Sequence, residues 1–213
     1  MHPLASRLTL VLLVLFTLTG AECAFVARSG SSNDDKDKNS SIGLVVGIND
    51  GRLVDGPVQG VGYVSGALTG ITGSDGEFRY EAGNTVRFFI GDITLGEAVP
   101  GKPLITPLDL VPGGTLDTPA VINIARLLQT LDVVPGDRRI TIPETLHRAA
   151  VHDNVHISAA LGSLDFSDET AFINAAAQLT ATLTASYPFT AVLVDGVTAR
   201  RHLAASLAEA GIE

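Results

Sequence analysis

Three histidines crowd one short stretch of the chain: His147, His152 and His156, with Asp153 beside the second. Imidazoles bind divalent metals and move protons near neutral pH, so this cluster is the first place to look for chemistry. On one continuous helix, His152 and His156 would share a face four residues apart and could hold a metal. Asp153-Asn154 favours a turn instead, and no Glu follows His152 in the metalloprotease arrangement. The histidines therefore read as surface residues near a helix end. His202 stands beside Arg200 and Arg201 and reads as part of a solvated helix face, with partner docking as the alternative. The run from Gly96 to Pro103 has the spacing of a phosphate-binding loop up to Lys102, but Pro103 replaces the metal-binding hydroxyl and prolines remove the N–H donors that would cradle phosphate. Ser65 lies in Tyr63-Val64-Ser65-Gly66, without the first glycine of a nucleophile elbow. Asp55, Asp75 and Asp92 are explained by turn chemistry. In Leu131–Asp137, Val133 and Val134 supply no oxygen ligands, so a turn between two helices is expected rather than a calcium site. No catalytic, cofactor-binding or metal-ligating residue is expected from these patterns.

The elements that would position any site follow from patterning. Of 213 residues, 46% are hydrophobic and 17% charged, which allows a sizeable core and excludes wholesale disorder. The formal charge of −9 opposes nucleic acid and anionic lipid as main partners. A single cysteine, Cys23, excludes an internal disulfide framework and a Cys-rich zinc site. Arg7 precedes the apolar run Leu8–Leu18, which small residues follow; this is the layout of a secretory signal peptide over residues 1–22. That run is too short to span a bilayer, which takes about 20 residues. Ser29–Ser41 lacks any apolar side chain and reads as a solvated tether; the lysines among Asp34, Asp35 and Asp37 mark a charge run rather than a calcium site.

From residue 42 to 99, short β-type runs alternate with turn signals. Strands are expected at Leu44–Ile48, Gly60–Val64, Leu68–Thr72, Glu77–Tyr80, Thr85–Ile90 (buried on both sides) and Ile93–Leu95. Turns are expected at Asn49-Asp50-Gly51, Asp55-Gly56-Pro57, Ser74-Asp75-Gly76 and Ala82-Gly83-Asn84, with Thr72–Tyr80 as the sharpest hairpin. Residues 100–117, with four prolines from Pro100 to Pro112, read as an extended connector. The remainder, 118–213, is helical. Thr118 caps a helix with Pro119 at its first position and an apolar stripe to Leu131. Pro143 opens a short helix to about Val151, and a further turn lies near Val155–Leu161. Asp168–Ala185 and Thr198–Ala210 are helices, the last closed by Gly211, and a final strand is expected at Ala191–Val194. The expected class is α+β: a small antiparallel β-sandwich followed by a packed helical cluster.

Two resemblances add to this reading. Val54-Asp55-Gly56-Pro57-Val58-Gln59-Gly60-Val61 and Thr72-Gly73-Ser74-Asp75-Gly76-Glu77-Phe78 resemble the repeat of carboxypeptidase-regulatory-like (transthyretin-like) β-sandwich modules, and the stretch from Gly83 to Gly96 is similar to uncharacterised bacterial envelope lipoproteins and adhesin-like proteins. Such modules serve as accessory, binding or spacer units. Cys23 resembles the acylated cysteine of bacterial lipoproteins, although Glu22 departs from the usual small residue before it; the rival reading is plain cleavage after Cys23. The resemblance implies a non-catalytic lipoprotein of the bacterial envelope, attached to the membrane through lipid on Cys23 and meeting a protein or glycan ligand. Ala24, rather than Asp, points to outer-membrane sorting. A periplasmic solute-binding or transport-accessory protein and a secreted hydrolase are the alternatives.

Overall fold

Inward–outward alternation decides where the sheets lie. The computed structural model describes residues 47–212; Cys23, the leader, the tether and Leu44–Val46 lie outside the described residues. The fold is α+β, with strands preceding most of the helices. One sheet has the order β5-β1-β9, built from Glu77–Glu81, Ile48–Leu53 and Leu104–Ile105, and a larger one joins β4 (Leu68–Ile71), β3 (Gly62–Ser65), β6 (Thr85–Ile90) and β7 (Ile93–Thr94), with β8 (Val99–Pro100) also on β6. A third pairs β2 (Val58–Gln59) with β10 (Ile140–Thr141). Most pairings are antiparallel; β1–β9 and β2–β10 are parallel. The helices are α1 (Pro119–Thr130), α2 (Glu144–Ala149), α3 (Ser158–Ser163), α4 (Glu169–Leu183) and α5 (Gly196–Glu209).

Several expectations are corrected. The first strand runs Ile48–Leu53 instead of ending at Ile48, so Asn49-Asp50-Gly51 is strand and not turn. Gly51 sits opposite Phe78, and a Cβ there would collide with the Phe78 ring; the glycine serves close packing rather than a bend. The Asp75-Gly76 turn forms, with Gly76 at φ 77°, yet its two flanking strands enter different sheets. Thr72 explains the divergence: its hydroxyl donates to Val58 O at 2.7 Å and accepts from Val61 N at 2.9 Å, holding that end of the chain against the β2–β3 corner. Meanwhile β5 pairs with β1. Strand β6 is not buried on both sides. Val86, Phe88 and Ile90 point inward, Thr85 and Arg87 are exposed, and Phe89 is half-buried.

The proline-rich segment supplies β8 and β9 and so closes the edges of two sheets. The loop after Leu131 leads into β10 rather than only into another helix. Residues 191–194 form no strand, because their backbone bonds are taken by α1 side chains: Val194 N donates to Thr130 Oγ1, and Arg126 Nε donates to Val194 O. Thr118 flanks α1 but does not cap it with its hydroxyl, which accepts from Thr115 N instead. Asp168 and Asp195 cap α4 and α5, accepting from the first-turn N–H groups of Thr170 and Ala171 and of Thr198, respectively.

One continuous core joins sheets and helices. Phe78 packs against Tyr63, Tyr80 and Phe88 with ring centroids 5.1–5.9 Å apart, and the same core includes Ile124, Leu127 and Leu128 of α1 and Phe172 and Leu179 of α4. The opposite side of α1, Val121 and Ala125, packs against Ala199, Leu203 and Leu207 of α5. Helix α1 is therefore covered on both flanks, and its Arg126, only 6% exposed, binds Asn123 and Glu169 and lies 5.0 Å over the Phe172 ring. Replacing Phe78 by Ala should cost about 3–5 kcal/mol in equilibrium urea unfolding, the range for removing a fully buried aromatic ring. A loss below about 1 kcal/mol would contradict its place at the centre of this core.

Candidate functional site

The outer face of the larger sheet carries the residues that could meet a ligand. Ile71, Gly62, Phe89 and Thr94 lie side by side across β4, β3, β6 and β7 in matched register. Gly62 is what allows the Phe89 ring to lie flat there, since a Cβ at residue 62 would come within 2.5 Å of the ring. His147 of α2 meets the same ring edge-on, with centroids 6.3 Å apart at 87°. Phe89 thereby stands between two open clefts. One, of about 450 Å³, is lined by Arg87, Phe89, Gly91, Asp92, Thr94 and His152. The other, of about 270 Å³, has Gly62, Gly70 and Ile71 beside the ring and the Glu144–Arg148 ion pair at its rim, 3.1 Å long.

The histidines read from the sequence separate into different roles. The residues from Val151 to Ile157 form turns before α3, so His152 and His156 do not share a helix face. His147 is not a free surface residue. Gly91 N donates to its Nδ1 at 3.1 Å and its Nε2 lies 2.7 Å from Gly60 O, so the proton sits on Nε2 and the ring bridges two turns of the sheet. His152 belongs to the cleft: its backbone N–H and its ring Nδ1 both donate to Asp92 Oδ2, at 2.7 and 2.9 Å. These two bonds, the backbone one foremost, hold the Asp92 carboxyl below the ordinary carboxylate range. Asp92 is thus more than a turn residue, and its Oδ1 accepts no bond among the described residues. His156 is exposed. Among the described residues, no three His, Cys, Asp or Glu side chains converge as a metal site.

His202 departs furthest from expectation. It is half-buried rather than freely solvated: its Nδ1 donates to Asp55 Oδ1 at 2.9 Å, and Asp55 is fully buried. Gln129 of α1 donates to the other oxygen of Asp55 at 3.0 Å. Asp55 lies in the turn between β1 and β2, so its carboxylate joins that turn to α1 and α5. The Asp55 hydrogen bond raises the His202 pKa, burial opposes it, and the charges of Asp55, Asp132 and Glu209 add to the rise. No local signal marked this pair, because an Asp in a turn is ordinarily read as solvated. Ser206, the hydroxyl one turn on from His202, donates back to the His202 carbonyl and not to its ring.

The remaining candidates are committed elsewhere. Lys102 of the phosphate-loop-like run pairs with Asp109 at 2.6 Å. Ser65 is buried and its Oγ accepts from Glu81 N. Arg200 pairs with Asp117 at 2.7 Å, and Asp75 lies 3.9 Å from Arg139. Asp132 Oδ1 accepts from Val134 N and Thr141 N, which anchors the loop into β10, while burial pushes its pKa up. Comparisons with protein families, curated proteins and solved structures give no match, so the resemblance to carboxypeptidase-regulatory-like modules rests on its residue motifs alone.

Two measurements check these assignments. Because the folded pKa of His202 is raised above its ordinary 6.5, its pairing with Asp55 contributes stability fully at pH below about 6.5 and loses it as pH rises through the higher folded value. The stability advantage of the natural chain over His202→Gln should therefore shrink from pH 6 toward pH 9; an advantage that grows with pH would contradict the pairing. Long-range proton–nitrogen NMR should show His147 as the Nε2–H tautomer, and a proton on Nδ1 would contradict the Gly91 bond.

Proposed function

We propose that this chain is a non-catalytic lipoprotein of a bacterial envelope that holds a binding module away from the membrane on a polar tether. The observation that carries the reading is the order of segments: a basic start, the apolar run Leu8–Leu18, Cys23, the wholly polar Ser29–Ser41, and then the folded unit with its open clefts. Acyl chains on Cys23 would anchor it durably at about 0.8 kcal/mol per buried CH₂. About 18 tether residues would give the module a mean reach of roughly 20–25 Å. In this reading the partners are the envelope membrane and an extracytoplasmic protein or glycan, and the place is the outer membrane or periplasm. No helix among the described residues is long and apolar enough to cross a membrane.

The arrangement of side chains bears on the alternatives. A solute-binding protein would favour an apolar cavity between sheets and helices, but that interface is filled by Ile124, Leu127, Leu128 and Phe172, all fully buried. A hydrolase would bring a His, an acid and a hydroxyl together. Here His147 spans two backbone groups, and His152 and His202 each face a single aspartate.

Metabolic labelling with palmitate tests the anchor. Label should enter the natural chain and be absent from Cys23→Ala; equal label in both, or none in either, would discard it.

A further inference from the structure

We infer that the cleft around Phe89, Arg87 and Asp92 is a binding site for a neutral oligosaccharide; this deepens the binding-module reading and rests on it. Sheet alternation places Phe89 on the outer face, and Gly62 beneath it lets the ring lie against the strand rather than stand off it. A flat, partly solvated aromatic surface suits the apolar C–H face of a pyranose, whose edge carries hydroxyls.

The polar groups around the ring match that edge. Arg87, two residues along the same strand face, is exposed and has no carboxylate within ion-pair distance among the described residues. Its planar guanidinium donates only. Asp92 accepts only: His152 bonds Oδ2 and favours the ionised group, while Oδ1 has no partner among the described residues and the side chain lines the cleft. Thr94, opposite Phe89, adds a hydroxyl that can do both. A fixed donor and a fixed acceptor on either side of an aromatic surface are complementary to neighbouring sugar hydroxyls, each of which gives one bond and takes another.

Charge selects among sugars. Arg87 and Asp92 balance within the cleft, and the chain as a whole carries −9, so nothing here concentrates an anionic glycan. Length is indicated by the second cleft. It shares the Phe89 ring, and its rim again offers one guanidinium and one carboxylate, Arg148 and Glu144. Two openings of about 450 and 270 Å³ on either side of one ring fit successive units of a chain better than a single compact ligand.

The test is calorimetric titration of the purified mature protein with neutral hexasaccharides (gluco-, xylo- and chito-oligomers of both linkage types) and with a hexauronate. At least one neutral oligomer should bind, and Phe89→Ala and Arg87→Ala should each weaken it about tenfold, the loss of about 1.4 kcal/mol expected for one stacking or charge-assisted contact. Arg87 is exposed, so its variant keeps the fold even if Phe89→Ala does not. Binding of the hexauronate alone, binding unchanged in Arg87→Ala, or no binding to any oligomer would overturn the inference. Palmitate incorporation is read separately on the same strains. An acylated protein that binds none of the sugars defeats this inference alone, and an unacylated one that binds them defeats the anchoring alone.

Discussion

A carboxylate that has lost all contact with water must be met by hydrogen-bond donors, and that requirement organises this fold. Asp55 is fully buried in the turn between the first two strands. It reaches Gln129 on α1 with one oxygen and His202 on α5 with the other. Leaving a buried charge without partners costs several kcal/mol, so the turn, the central helix and the last helix are obliged to meet at one point. The apolar core is non-directional and would tolerate some sliding of helix against sheet. Asp55 and the buried Arg126, which ties α1 to Glu169 and to the 191–194 segment, fix the register.

This division explains what the sequence made legible. Alternation was readable in β5, with Phe78 and Tyr80 inside and Glu77 and Arg79 outside, but not in β6, where the apolar Phe89 on the outer face masked it. Helices were readable from apolar stripes and from Pro119 and Gly211 at their ends, whereas the start of α4 was read from Ser167 with Thr170 and is capped by Asp168. Pairing between distant segments was not. Strands of two residues, such as Val58–Gln59 with Ile140–Thr141, carry no periodic signal, and their partners lie some 80 positions apart in the chain. Asn49-Asp50-Gly51 has the composition of a turn and becomes strand because Gly51 lets Phe78 approach. Local propensity lost there to tertiary packing.

The candidate site was half visible for the same reason. His152 and Asp92 were both singled out, one as a surface histidine and the other as a turn residue, but nothing local joins residues 60 positions apart. Phe89 drew no notice because a phenylalanine in an apolar strand ordinarily belongs to the core. Its half-exposed position became apparent only once the register set it opposite Gly62 and Thr94. The pairing of buried Asp55 with half-buried His202 was the most thoroughly hidden, since both residues have common solvated roles in turns and on helix surfaces.

In the proposed function, the cross-braced module is joined to a membrane through a single residue, Cys23, and that junction is open to one direct observation. Intact-mass spectrometry of the mature protein extracted from membranes should find a chain beginning at Cys23 and heavier than its amino acids by the mass of attached acyl and glyceryl groups. A chain beginning at Ala24 with no added mass, or one retaining Met1, would contradict it.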